Sequence, residues 1–203
     1  MSIQPYLILA SASPRRQELI QYLGMPFEVN PSRYVEPELS VERVHIPTLV
    51  IQLAERKALE VASRIADGLV IGADTLVTHD YEWGAPIGKP TSRLDAFEML
   101  KRLSGSVHRV YTGVSIIPVI AGEIYKSVSN FACTRVRFRD MTDSMINSYI
   151  DTGEYIDKAG AYGAQGYAAP YIESIEGDFF NVVGLPLCTL SRLIDTVKHE
   201  LME

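Results

Sequence analysis

Residues 6–24 read YLILASASPRRQELIQYLG, and their order decides the fold class. Residues 6–10 are a short apolar run, suited to a strand buried on both faces. Ser13 follows at a position that can cap a helix, with Pro14 at the first helical position, where a missing N–H costs little. Leu19, Ile20 and Leu23 give that helix an apolar face, and Gly24 ends it. The stretch is a strand–loop–helix unit.

Downstream, residues 27–30 read as a second short strand and 31–40 as a polar loop with Pro31, Pro37 and several acids. Leu49, Val50, Leu53, Ala54, Ala58, Val61 and Ile65 recur at helical spacing and predict a long helix over 48–66. Residues 69–77 (LVIGADTLV) are a buried strand in which Gly72 and Asp74 are interruptions. A turn-rich segment, 79–90, closes on Gly88-Lys89-Pro90, and residues 92–103 form a helix ended by Ser104-Gly105. Two β-rich runs, 108–120 and 124–138, flank Ala121-Gly122-Glu123 and predict a long hairpin. A short helix over 141–152 stops at Gly153. Residues 157–169 are a loop rich in Gly and Ala, 171–175 a strand, and 187–201 a closing helix after Gly184-Leu185-Pro186. With no repeat and no linker, residues 1–203 read as one domain. Helices alternate with strands but a hairpin is inserted, so the fold class is α/β, with a mixed twisted sheet and flanking helices.

Composition narrows the function. A net charge of −6 and a pI near 5.3 exclude a non-specific nucleic-acid binder, which needs a basic surface to displace counterions. A small phosphate ligand remains open, because a few cations can converge locally. Cys133 and Cys188 have no metal-binding spacing, so neither a disulfide framework nor a zinc site is expected and a reducing compartment is. No apolar run reaches the roughly 18–20 residues that span a bilayer. Residues 1–6 lack a signal peptide's basic region and apolar core. A cytoplasmic protein without membrane contact is expected.

Three stretches carry candidate chemistry. In the first, Ser11 and Ser13 add hydroxyl donors at a helix start, and Arg15 and Arg16 are planar, bidentate phosphate binders. The alternative is a plain cap followed by a solvated basic pair. In the second, Gly72-Ala73-Asp74-Thr75, a carboxylate in an apolar strand is costly without a partner. Its placement suggests a metal ligand or general base at a strand end, against a simple turn hydrogen bond. Lys57 on the preceding helix and Lys89 in the Gly-Lys-Pro turn are candidate phosphate contacts, although either alone reads as surface. In the third, residues 157–166, glycines allow close backbone approach and Gln165 offers donor and acceptor to a base edge. Tight packing of small residues explains the same composition.

The stretches SASPRRQEL (11–19), AERKA (54–58), GADT (72–75), GKP (88–90), DKAGAYGAQG (157–166) and NVVGLPL (181–187) occur in one order across nearly the whole chain. In this the chain resembles the Maf family, the septum-formation Maf-like proteins. The resemblance implies a fold related to inosine triphosphate pyrophosphatases, with two lobes around a cleft. It also implies pyrophosphohydrolase activity on nucleoside triphosphates, a divalent metal cation (Mg²⁺ or Mn²⁺, with Co²⁺ an alternative) and a homodimer. On the family's pattern, Ser11, Ser13, Arg15 and Arg16 fall on the phosphate-binding signature, Asp74 on the proton acceptor, Lys57 and Lys89 on active-site lysines, and Glu36 on an acidic loop position.

Side chains then point to a branch. The dTTP/UTP branch carries Arg after the signature Pro, Thr after the Asp and Gln in the glycine-rich loop, as Arg15, Thr75 and Gln165 do here. The 7-methyl-GTP branch tends to Trp, Gln and Glu. A cationic methylguanine favours stacking on Trp, whereas uracil or thymine sets a carbonyl beside an N–H, which a Gln amide matches. The expected reaction is therefore hydrolysis of dTTP or UTP to monophosphate and pyrophosphate, with CTP or a modified pyrimidine nucleotide as further candidates. Asp74 and Glu36 would hold the metal with phosphate oxygens, Asp74 would accept the water's proton, and Arg15, Arg16, Lys57 and Lys89 would offset phosphate charge. The rivals are a 7-methyl-GTP pyrophosphatase and a nucleotide-sensing regulator of cell division.

Overall fold

A computed structural model describes residues 6–37, 43–79 and 82–201. The strands are β1 (Leu7–Leu9), β2 (Phe27–Val29), β3 (Val44–His45), β4 (Gly68–Thr78), β5 (Trp83–Gly84), β6 (Val107–Ile120), β7 (Glu123–Ile124), β8 (Val128–Phe138) and β9 (Ile172–Glu176). The helices are α1 (Pro14–Ile20), α2 (Ile46–Ala62), α3 (Arg93–Leu103), α4 (Asp143–Ile150), α5 (Phe179–Val183) and α6 (Leu187–Glu200). The main sheet runs β2-β1-β4-β6-β8-β9, with β7 on β6. Its β2-β1-β4 part is parallel and the rest antiparallel. The mixed sheet expected from the inserted hairpin is what the chain forms.

Local signals explain most boundaries. Gly24, at φ 64°, ends the 3₁₀ turn that follows α1. Ser92 caps α3 by accepting from the Asp95 N–H, a bond that satisfies one of the orphan donors of a first turn. The β6–β7 hairpin turns on Ala121 and Gly122, both at positive φ, as a two-residue loop between right-twisted strands requires. Helix α2 starts two residues earlier than its apolar spacing suggests, because Pro47 suits its first turn, and it ends at Ala62, four residues early. The loop expected over 31–40 is described as far as Pro37, and residues 80–81 of the 79–90 turn lie outside the described residues.

Two differences bear on function. Strand β4 is not interrupted at Gly72 and Asp74: it runs eleven residues without a break and pairs with β6 throughout. Gly72 is there because α2 crosses the sheet at that point. A Cβ on Gly72 would lie 2.0 Å from the Ala54 carbonyl oxygen, and one on Gly113 2.3 Å from that of Val50. Asp74, paired with Gly113, thus sits in mid-strand under the helix and not at a strand end. The short helix α5 was also absent from the sequence reading. Asp178 creates it by accepting from the Phe180 and Asn181 N–H groups.

Side chains alternate across β4. Val70 and Leu76 face α2, whose Val50, Leu53, Ala58 and Val61 they meet. Leu69, Ile71 and Ala73 face the opposite way, onto α1 and α6. Farther along that second face, Val77 and Val110 join a separate core with α3, α4 and the glycine-rich segment. A cleft between these two cores reaches the edge of β4 past Ile71, where β1 no longer covers it and residues from both faces of β4 border the opening.

Candidate active site in the cleft

Strand β1 pairs with β4 over only three residues, Leu69–Ile71, so the chain after β1 leaves the sheet just where β4 continues. That places Ser11, Ser13, Arg15 and Arg16 beside Asp74 and Thr75. A hollow of about 770 Å³ contains Ser13, Arg15, Arg16, Lys57, Asp74, Thr75, Lys89 and Gln165 in its wall. A second, of about 890 Å³, shares Ser13, Arg15, Arg16, Lys57 and Lys89 and adds Ser11 and Glu36. All ten residues singled out in the sequence therefore border one continuous opening. Its mixed wall of cations, carboxylates and hydroxyls suits an anionic ligand.

Lys57 is the hub. Its Nζ donates to Asp74 Oδ1 at 2.5 Å and pairs with Glu36 Oε1 at 2.7 Å. It reaches both because α2 lies flush on Gly72, two residues from Asp74. Glu36 arrives on a loop tied to α2 at several points. Arg64 donates to Asn30 Oδ1 and the Pro31 carbonyl, Glu60 accepts from the Arg33 N–H, and Arg56 donates to the Tyr34 hydroxyl.

The two carboxylates are tuned in opposite directions. Burial pushes Asp74 above the ordinary carboxylate range, and Lys57 pulls it back only in part. Burial raises Glu36 too, but the hydrogen bond and charge of Lys57, with Lys89 and Arg16 behind them, outweigh it and hold Glu36 low. Asp74 Oδ2 is buried with no hydrogen-bond partner among the described residues. An orphaned carboxylate oxygen in a cleft wall is a position awaiting a proton or a cation.

Around this pair stand the cations. Arg16 is fixed, with Nε on the Gly184 carbonyl at 2.7 Å, Nη2 on Thr75 Oγ1 at 3.0 Å and Nη1 on Ser11 Oγ at 3.3 Å. Arg15 and Lys89, which border both hollows, make no hydrogen bond or ion pair among the described residues. Lys158, in the same wall, donates to the Glu154 carbonyl; burial and Arg15 lower its pKa.

Two sequence expectations need correction. Ser13 occupies the N-cap position of α1, but its side chain makes no capping bond; instead Ser11 Oγ accepts from the Ser13 N–H at 3.2 Å. Ser11 thus shapes the turn while the Ser13 hydroxyl remains available in the cleft. The glycines of the 157–166 loop serve packing more than ligand approach. A Cβ on Gly163 would meet Lys158 Cε at 2.9 Å, and one on Gly166 would overlap the Glu154 carboxylate. Gln165, exposed at the mouth, is the member of that loop left open to a ligand. The sequence reading did not single out Asp157, which borders both hollows at a positive φ of 60°, or Asn181 and Thr112 beneath Thr75. The left-handed backbone that marks Asp157 is a property of the folded loop and is not written in its residue type.

Comparison with known proteins gives the family. The description of the family of Maf-like proteins matches residues 6–197. The chain belongs to the Maf-like family. Relatives of this Maf-like protein include the dTTP/UTP pyrophosphatase of Moorella thermoacetica, 49% identical over 190 residues and 93% of each chain. That of Thermoanaerobacter sp. is 47% identical over 195 residues and 96% of each chain. That of Alkaliphilus oremlandii is 46% identical over 189 residues, 93% of this chain and 94% of the relative. A solved nucleoside-triphosphatase, the dITP/XTP pyrophosphatase of Mycobacterium abscessus, overlaps 97% of this chain and 96% of its own at 9% identity and a TM-score of 0.42, too low to mark a shared fold. Among the described residues, no helix of the Maf-like protein is long and apolar enough to cross a membrane.

Proposed function

We propose that this Maf-like protein is a nucleoside triphosphate pyrophosphatase that hydrolyses dTTP and UTP to the monophosphate and pyrophosphate. The observation that carries the reading is the orphaned Asp74 Oδ2 in a cleft ringed by Arg15, Arg16, Lys57 and Lys89. Relatives with this activity in their names, at nearly half identity over nearly full length, support it.

The triphosphate lies along the cations, with Arg15 and Arg16 as bidentate ligands and Lys57 and Lys89 as point charges. Asp74 Oδ2 takes a proton from a water as that water's oxygen bonds to the α-phosphorus. The bond from the α-phosphorus to its bridging oxygen breaks, and the electron pair leaves with pyrophosphate. Burial, by raising Asp74, makes it a better proton acceptor, and Lys57 on Oδ1 holds it in place. The cations offset the charge gathering on the leaving group.

A divalent cation fits this donor set. Asp74 and Glu36 meet across one nitrogen, one with an unpartnered oxygen, and hard oxygen donors suit Mg²⁺ or Mn²⁺. No trio of His, Cys, Asp and Glu forms a ready-made cage among the described residues, so phosphate oxygens would complete the set, as is usual for Mg²⁺. When bound, the cation would supply charge neutralisation and acidify a water. Gln165 at the mouth offers an amide that matches the carbonyl and N–H of uracil or thymine.

Incubation with dTTP, UTP, CTP, GTP, ATP and 7-methyl-GTP, with and without EDTA, tests the reading through pyrophosphate release. Release from dTTP and UTP, abolished by EDTA, is the expected result. Hydrolysis of 7-methyl-GTP alone overturns the base preference, and tight UTP binding without pyrophosphate release favours a sensor.

A further inference from the structure

The hydrogen bonds that fix Arg16 continue into the protein. Thr75 Oγ1 lies 3.0 Å from Thr112 Oγ1, its neighbour across the β4–β6 ladder, and Thr112 Oγ1 donates to the Asn181 carbonyl at 3.0 Å. A hydroxyl has one proton. That of Thr112 is committed to a carbonyl, which can only accept, so Thr75 is the donor between the two threonines. Having given its proton inward, Thr75 meets Arg16 with a lone pair. The chain from Arg16 Nη2 through Thr75 and Thr112 to the Asn181 carbonyl therefore has a single direction, and every member is used.

Asn181 is itself anchored. It is fully buried, and its Nδ2 donates to the Val110 carbonyl and to Thr134 Oγ1, both at 2.9 Å. Thr134 Oγ1 in turn donates to the Asp178 carbonyl at 2.9 Å and accepts from the Asp178 N–H at 3.1 Å. Helix α5 has five residues, too few to hold a position by its own hydrogen bonds. This buried node pins it to β6 and β8. The middle of α5 and its C-cap then serve Arg16: Asn181 through the two threonines, and Gly184 directly on Nε.

We infer that Thr112 and Asn181 are positioning residues that orient the Arg16 guanidinium for a phosphate, acting through Thr75 without touching substrate. The inference rests on the phosphate-binding role proposed for Arg16. A guanidinium gives a bidentate contact only in one plane, and a plane fixed in advance loses less freedom on binding.

The test is a double-mutant cycle. Thr112→Val keeps the shape of the side chain and suits a strand, but it removes the middle link. Loss of about one buried hydrogen bond predicts a fall in dTTP kcat/KM of about tenfold, with a thermal midpoint lower by several degrees because the Asn181 carbonyl loses its donor, and Thr112→Ser should restore most of both. In an Arg16→Lys background, which lacks the guanidinium, Thr112→Val should cost less than about twofold. An equal loss in both backgrounds, or no loss with Arg16 present, overturns the inference. If Thr112→Val does not fold, Thr75→Val breaks the same chain one link nearer Arg16 and completes the cycle. The same cycle read as affinity for inorganic pyrophosphate by calorimetry needs no turnover. An inactive unmodified protein would then count against the hydrolase reading, while the coupling still decides the role of Thr112.

Discussion

Replacing Gly72 by alanine should damage catalysis through a helix that carries none of the added atoms. The new Cβ would lie 2.0 Å from the Ala54 carbonyl oxygen and 2.9 Å from the Ala58 nitrogen, both backbone atoms that no rotamer change can move. Ordinary contact begins near 3.4 Å, so α2 and β4 must separate by about 1.4 Å at this crossing. Overpacking of this kind costs roughly 1–3 kcal/mol, which in a chain of this length lowers Tm by about 2–4 °C per kcal/mol. The same separation draws Lys57, three residues beyond Ala54, out of its 2.5 Å contact with Asp74. Misplacement by about 1 Å in an active site costs on the order of 10²-fold. The assay is dTTP kcat/KM beside a urea or thermal unfolding curve, with Val61→Ala as control. Val61 is buried on the sheet-facing side of the same helix, and its truncation loses stability without lifting α2. Wild-type turnover in Gly72→Ala, or an equal loss in Val61→Ala at matched stability, refutes the reasoning.

Asp74→Asn should fold and lose about 10²–10⁴-fold in turnover, since it removes the proton acceptor but keeps the shape; full activity removes Asp74 from that role. Because burial raises Asp74, the acid limb of the wild-type rate profile should fall above the ordinary carboxylate pKa of 3.8, which a pH–rate series reads directly. Gln165→Glu should lower UTP kcat/KM by about tenfold or more through loss of the amide donor, while GTP is spared; equal losses on both nucleotides mean Gln165 does not read the base. His108 is fully buried, donating to or accepting from Tyr162 Oη at 2.7 Å, and its burial, helped by His79, drives its pKa from 6.5 down to about 3. Between those values the unfolded chain holds a proton that the folded one refuses. Stability is thus complete above pH 6.5 and falls by about 1.4 kcal/mol per unit of acidification toward pH 3. His108→Gln should flatten urea midpoints between pH 7 and 5 relative to wild type, and parallel slopes would exclude the effect.

Much of the fold lies in short-range signals: the apolar run before Ser11, the glycine at the end of the first helix, the Ser92 cap and the Ala121-Gly122 turn. Each acts within four or five residues, so one sequence displays it. Nine of the ten candidate site residues were legible for a different reason, since they sit in motifs whose order resembles one family; Glu36 lies outside those motifs, and only the family's acidic loop position pointed to it. What stayed hidden depends on register. Gly72 and Asp74 read as interruptions of a strand over 69–77, because its continuity comes from pairing with β6 and the need for Gly72 shows only once α2 is laid across it. Thr75, Thr112 and Asn181 lie far apart in the chain and look like ordinary polar residues; only the Thr75–Thr112 pairing and the cap at Asp178 bring them into line. The ties from Arg64 and Glu60 to the loop before Glu36 were equally silent, since a charged helix face reads as solvated surface.

Those ties bear on the heat and entropy of binding. A loop held to α2 from Asn30 to Tyr34 delivers Glu36 before any nucleotide arrives, so ligand association does not have to order that segment. Calorimetry with a non-hydrolysable triphosphate should then record a small heat-capacity change, set by the surface the nucleotide itself covers. Loosening the loop at both ends with Arg64→Ala and Arg56→Ala should add the signature of coupled folding, a more favourable enthalpy set against a larger entropic loss.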